Sequence, residues 1–266
     1  MQLDKRTRIL GLIGITVAIA ACENLDQPPQ VLRRYGSVVV EGKNTSETTV
    51  SATAKAIFFE SSTASVPSSL TAQNDACTVS NVDTTTVEVL GQRNAGDAIS
   101  LQVGAQTITM PWVPGGSRYD SPVGSPFVYT TGATAQVTVP GNGDQYPAGS
   151  VSVLLAEPIL APDVTVSLTQ PMVITWNAST SQTSAVLLEL RYANPSNSGY
   201  GNQQIICQLK DDGNMELPAS SLATFLQSPQ VYRSLRLTRF RTSEVDLDDR
   251  TLLHISSQTD TLVKLK

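Results

Sequence analysis

Most of the chain alternates apolar and polar residues with a period of two, the pattern of strands that bury one face. Ala98–Val103 sets Ile99, Leu101 and Val103 on one side, and Thr107–Met110 returns with Ile108 and Met110. Gly104-Ala105 between them predicts a two-residue type II′ hairpin turn, whose first position needs the positive φ that glycine accepts. Val38–Glu41, Thr49–Phe59, Ala135–Val139 and Val151–Leu155 read as further strands. The residues 157–163 (EPILAPD) carry two prolines and read as a connector.

Beyond it the alternation tightens. Val164–Leu168, Met172–Trp176, Ala185–Tyr192, Gln204–Leu209, Val231–Phe240, Thr251–Ser256 and Thr261–Leu265 make seven short strands in about a hundred residues, the count of an immunoglobulin-like sandwich. Asp212-Gly213 between Leu209 and Met215 predicts a hairpin, and Ser220–Leu226, after Pro218, predicts a short helix. The fold class is therefore all-β. The expected organisation is one β-sandwich over 35–160 and an immunoglobulin-like one over 161–266, with a single sandwich bearing a long insertion as the alternative.

Val173-Ile174-Thr175-Trp176, followed by Val186 to Tyr192 (VLLELRY), resembles the early strands of fibronectin type III and related immunoglobulin-like domains. In those domains a tryptophan lies in the core. Ile205 to Gly213 (IICQLKDDG), then Leu217-Pro218, resembles the closing half of sandwiches in bacterial lipoproteins. The likeness covers 163–266 and lacks a clear tyrosine corner, so no subfamily is implied. Such folds host adhesion, recognition and scaffolding alike.

The N-terminus carries an address. Lys5, Arg6 and Arg8 form a positive start, and Ile9–Ala20 is an uncharged apolar run. That run is short for a bilayer span, which takes roughly 20 residues, and suits a signal peptide. It ends Ile19-Ala20-Ala21-Cys22, which resembles the lipobox of bacterial lipoproteins. The resemblance implies cleavage after residue 21 and a diacylglyceryl group on Cys22, anchoring the chain to membrane without a spanning helix. Residues 22–34 then read as a tether, beginning with the Pro-bearing Glu23–Gln30 (ENLDQPPQ). Glu23, where inner-membrane retention calls for Asp, leans the expected location toward the outer membrane.

Without residues 1–21, which hold three of the 18 basic and one of the 23 acidic residues, the chain has 15 bases against 22 acids, a net charge of −7. Nucleic acid, which wants a basic face, is excluded as a partner. Cys77 and Cys207 remain after Cys22. An oxidising compartment permits a bridge between them; two buried free thiols are the alternative.

No catalytic constellation emerges. The single histidine, His254, sits inside a strand pattern and lacks a nucleophile elbow to serve. No metal or cofactor is expected. Glu244–Asp249 lacks the spacing of a calcium loop; with Arg233, Arg236, Arg239 and Arg241 upstream it predicts an ion-pair ladder across a hairpin. Pro111–Tyr129 gathers Trp112, Tyr119, Phe127 and Tyr129 with four prolines and reads as a long shaped loop, the candidate for a ligand or partner. The expected function is a non-enzymatic binding or scaffolding module of the cell envelope, with a protein or polysaccharide partner. A carbohydrate-binding module using Trp112 and Tyr119 is the first rival, and a hydrolase with dispersed carboxylates the second.

Overall fold

The computed structural model describes residues 32–61, 75–81, 91–167, 169–181, 183–193, 203–226 and 232–266. The expected signal peptide and Cys22 lie outside these. Two long strands open the fold: β1 (Arg33–Asn44) and β2 (Thr49–Ser61). Arg33 and Arg34, expected at the end of a tether over 22–34, thus belong to a strand, and residues 22–31 lie outside the described residues. There follow β3 (Ala76–Asn81), β4 (Ala98–Val103), β5 (Gln106–Val113), β6 (Arg118–Asp120), β7 (Phe127–Thr130), β8 (Thr134–Val139) and β9 (Gly149–Leu154). The second half holds β10 (Met172–Thr175), β11 (Ser184–Ala193), β12 (Gln203–Lys210), β13 (Asn214–Leu217), the helix α1 (Ala219–Leu226), β14 (Tyr232–Asp248) and β15 (Thr251–Val263).

One sheet of thirteen strands runs β3-β12-β11-β14-β15-β1-β2-β6-β5-β4-β8-β9, with β7 also on β2; β10 and β13 form a separate pair. All pairings are antiparallel except β1 with β15, which is parallel. The boundary expected at 160–161 therefore separates neither sheets nor cores: Leu253 and Ile255 belong to the first core and Ile159 to the second. β1 pairs with β15, bringing β2 with it, and β3 pairs with β12, so residues 32–266 form one compact unit. The proline-bearing connector does not divide the molecule because strand pairing crosses it in both directions.

The first core is enclosed by the sheet itself. Along β2 the alternation buries Val50, Ala52, Ala54, Ala56 and Phe58, facing Ile99, Leu101, Val137 and Val153 across the interior. The sheet curls until β9 meets β14 and β15, with Gly149 lying close against Leu247. The second core is covered by separate pieces. Leu188, Leu190, Ile205, Leu209, Leu235 and Leu237 of the sheet lie beneath Met172, Ile174 and Leu217 of the β10–β13 pair and Leu222 of α1.

β14 and β15 serve both cores with a single face. Odd-numbered side chains on β14 pass from Leu235 and Leu237 in the second core, through Arg239 and Arg241, to Val245 and Leu247 against the first. On β15, Val263 belongs to the second core and Ile255 and Leu253 to the first, with Thr259 and Ser257 between them.

The 98–110 hairpin turns at Gly104-Ala105 as predicted, with Val103 opposite Gln106 and Gly104 at φ 58°. The Asp212-Gly213 hairpin does not form. Gly213 does turn the chain at φ 92°, but β12 stays in the large sheet while β13 pairs with β10. The turn hands the chain from one layer to the other. Of the strand expected at Val164–Leu168, the described residues 164–167 make no strand: Val164 forms one isolated bridge, to Leu265, and Leu168 lies outside the described residues.

Candidate functional site

The aromatic stretch is not one long loop. β5 extends through Trp112, a tight turn at Pro114–Gly116 follows, and β6 and β7 return to β2. Tyr119 is fully buried, and Phe127 and Tyr129 nearly so. The Tyr119 hydroxyl donates to the Gly96 carbonyl (2.7 Å) and accepts from the Ala95 N–H (2.8 Å). Its ring meets Phe58 edge-on at 5.5 Å, and half-buried Trp112 lies 5.0 Å away. The Tyr129 hydroxyl donates to the Ala156 carbonyl at 2.9 Å. Burial pushes both phenol pKa values up, Tyr129 the further. These rings build the first core, because prolines and glycines here shape turns between short strands whose alternation points the aromatics inward.

The two thiols left open by the sequence are joined. Cys77 on β3 stands directly opposite Cys207 on β12, with Cα atoms 4.0 Å apart, and the bond spans 130 residues. Cys207 is buried under the second core and Cys77 is exposed.

The most concentrated chemistry lies between the two cores. Arg239 and Arg241 are fully buried where β14 passes from one core to the other. The Arg239 guanidinium forks onto Asp211, with Nε at 2.6 Å from Oδ2 and Nη2 at 2.9 Å from Oδ1. It also donates to the Pro158 carbonyl (2.9 Å) and to that of Asn177. Arg241 donates to Glu157 Oε1 (2.7 Å) and Ser179 Oγ (2.9 Å), and Ser179 donates in turn to Glu157 Oε2 (2.9 Å). Trp176 and Ser184 donate to Asp211 at 2.9 and 2.7 Å. Burial works to raise the Asp211 pKa, but hydrogen bonding and charge from Arg239, with Ser184 and Trp176, hold it below the ordinary carboxylate value.

This seam pins the connector. Leu155 sits in the first core and Ile159 in the second, while Glu157 between them meets Arg241. The Glu157 carbonyl accepts from Thr259 at 2.6 Å, and the Ala156 N–H donates to Ser257 Oγ at 2.9 Å. Each of the four charged side chains meets an opposite charge within the chain, with Arg241 Nε left buried and unbonded, and their shared role is to fasten a crossing segment to the sheet.

The predicted arginine–acid ladder is corrected here. Both segments lie on the single strand β14, so they cannot face each other across a hairpin. Asp248 instead pairs with Arg34 at 2.9 Å, Arg236 approaches Asp260 at 3.7 Å, and Glu244 stands in register with His254. Sequence reasoning missed Asp211 and Glu157, and it paired Arg239 and Arg241 with the acids of Glu244–Asp249 instead. The signal was present: both arginines share parity with Leu235 and Leu237, so the alternation that buries the leucines buries them too.

His254 is 4% exposed, and neither ring nitrogen has a hydrogen-bond partner. Burial lowers its pKa against the pull of Glu244. Among the described residues, no group of three or more His, Cys, Asp or Glu side chains is placed to hold a metal ion. On the outer face of the central strands a polar groove of about 640 Å³ is lined by Glu41, Ser51, Thr53, Arg236, Gln258 and Asp260, among others. Glu41 holds Lys55 at 2.5 Å and accepts from Gln258 at 3.4 Å.

No protein-family model matches this chain, and no curated protein matches it.

Proposed function

We propose that the chain is a lipid-anchored protein of the bacterial cell envelope that binds or scaffolds a partner and catalyses no reaction. The observation that carries this reading is the Cys77–Cys207 disulfide. A bridge tying an exposed strand to the sheet persists in an oxidising compartment, which agrees with an export signal in residues 1–21 and lipidation at Cys22. The non-enzymatic part rests on how the buried charges are used: Arg239, Arg241, Asp211 and Glu157 serve structural contacts. A diacylglyceryl group supplies stable anchoring, where one acyl chain binds reversibly. Glu23 after the cysteine favours the outer membrane.

Metabolic labelling with a radioactive fatty acid tests the anchor. Incorporation into the wild-type chain, lost in Cys22→Ser together with membrane association, is the expected result. A chain recovered unlabelled from the cytosol with both remaining thiols free would sink the proposal.

The groove at Glu41, Gln258 and Asp260 supports a second reading, a carbohydrate-binding module. Its carboxylates, amide and hydroxyls form the kind of hydrogen-bonding array that sugar hydroxyls meet. The site would be this groove rather than Trp112 and Tyr119. Binding of purified envelope polysaccharide, weakened by Gln258→Ala, is what that reading expects.

A further inference from the structure

Among the described residues β3 is the end strand of the large sheet. Its inner edge pairs with β12 from Gln203↔Asn81 to Gln208↔Ala76 without a bulge. Its outer edge presents backbone N–H and C=O groups with no strand beside them among the described residues. Exposed edges are ordinarily blunted by charge, proline or a bulge. The six residues Ala-Cys-Thr-Val-Ser-Asn carry neither charge nor proline. The opposite end strand, β9, is also uncharged, but the curl of the sheet lays it against β14 and β15.

The disulfide shows which groups face outward. Cα atoms 4.0 Å apart fit a non-hydrogen-bonded antiparallel pair at about 4.5 Å, not a bonded pair at about 5.5 Å. The N–H and C=O of Cys77 therefore point away from β12, and by alternation so do those of Val79 and Asn81. Val79 is opposite Ile205 in register, so its side chain stands on the face that builds the second core. It is 61% exposed.

We propose that this edge pairs with the same edge of a second copy of the chain, antiparallel, about a two-fold axis at Val79. The strand is its own complement in that arrangement. Val79 meets Val79 of the other copy as a bonded pair, Cys77 meets Asn81, and each pair exchanges two N–H···O bonds. No like charges oppose, and the adjacent Asp75 carboxylate is already occupied by the Lys210 N–H at 2.9 Å. The two valines bury each other and extend the second core across the axis. A six-residue edge buries less than the roughly 1,000 Å² of a stable interface, so pairing is weak in dilute solution. Two copies held on one membrane gain effective concentration. The inference deepens the scaffolding proposal and rests on it.

Förster transfer between donor- and acceptor-labelled copies of the intact lipidated chain, reconstituted together on liposomes over a series of protein-to-lipid ratios, tests it. Wild type should show a reversible monomer–dimer equilibrium. Val79→Pro removes an outward N–H and leaves the inner ladder to β12 complete, so dimerisation should weaken on the order of tenfold or more with the thermal midpoint unchanged. Val79→Lys, which sets two ammonium groups at the axis, should weaken it likewise and carries the test if the proline variant does not fold. A wild type that stays monomeric, or a dimer indifferent to both variants, overturns the pairing. Fatty-acid labelling of the same preparations reads the anchor independently, so a monomer that is normally lipidated refutes the pairing alone.

Discussion

The two cores of this protein lie along one face of the same two strands, yet they are closed by different means. The first is sealed by the curl of its own sheet, and its polar atoms are tyrosine hydroxyls each given a backbone partner, such as Tyr119 with Gly96 and Tyr129 with Ala156. The second is covered by β10–β13, α1 and the connector, none of which is hydrogen-bonded into the sheet as a continuous ladder. Covering pieces of that kind can slide unless directional bonds fix them. The fork from Arg239 to Asp211 and the pair Arg241–Glu157 supply that fixing at the seam. Apolar area closes a curled sheet; charge registers a separate layer upon one.

The sharpest way to break the contrast is Arg239→Ala. Removing one partner of a buried pair strands the Asp211 carboxylate, and about 3–5 kcal/mol of stability should be lost in urea unfolding. Replacing both, as Arg239→Met with Asp211→Leu, should recover part of that loss, since apolar substitutes for a buried ion pair are often neutral. The recovery is partial because the Pro158 and Asn177 carbonyls and the Trp176 and Ser184 donors lose a partner. If the double variant is no better than the single, the seam does more than register the layers.

A smaller effect separates the hydroxyl contacts of the first core. Tyr129→Phe keeps the ring and removes one hydrogen bond to Ala156, and should cost about 1 kcal/mol in the same measurement. A loss as large as that of Arg239→Ala would erase the distinction between the two closures.

The smallest effect is absent at neutral pH and grows with acid. Burial keeps His254 neutral in the fold and lowers its pKa, so the unfolded chain takes up a proton first as pH falls below about 6.5. Stability should therefore be flat above that point and decline as pH drops toward the folded pKa, where the slope ends. His254→Leu should flatten that decline in a pH series of thermal midpoints, and an unchanged slope would assign it to other groups.

How much of this was legible in the sequence depends on range. Ala98–Val103, its two-residue turn and the helix near Ser220 are local, and alternation with glycine chemistry placed them. β3 was missed because residues 76–80 are all exposed and leave no hydrophobic period, and only its disulfide and ladder explain it. The split into two sandwiches failed because a connector with two prolines looks the same whether or not strands pair across it. Trp112, Tyr119, Phe127 and Tyr129 were read as a surface since prolines and glycines broke the alternation that would have shown them pointing inward. Of the seam, the two arginines were legible by parity, but their partners, Glu157 and Asp211, come from distant turns.

The parallel pairing of β1 with β15 sets an order of events in folding. β1 lies between β2 and β15, so the first sheet built from the N-terminus lacks one side until residues 251–263 have been made. Pairings of such separation form late and slowly. A chain emerging N-terminus first thus remains without a closed first core until residues 251–263 have followed it, and β1 waits for its second neighbour through most of synthesis.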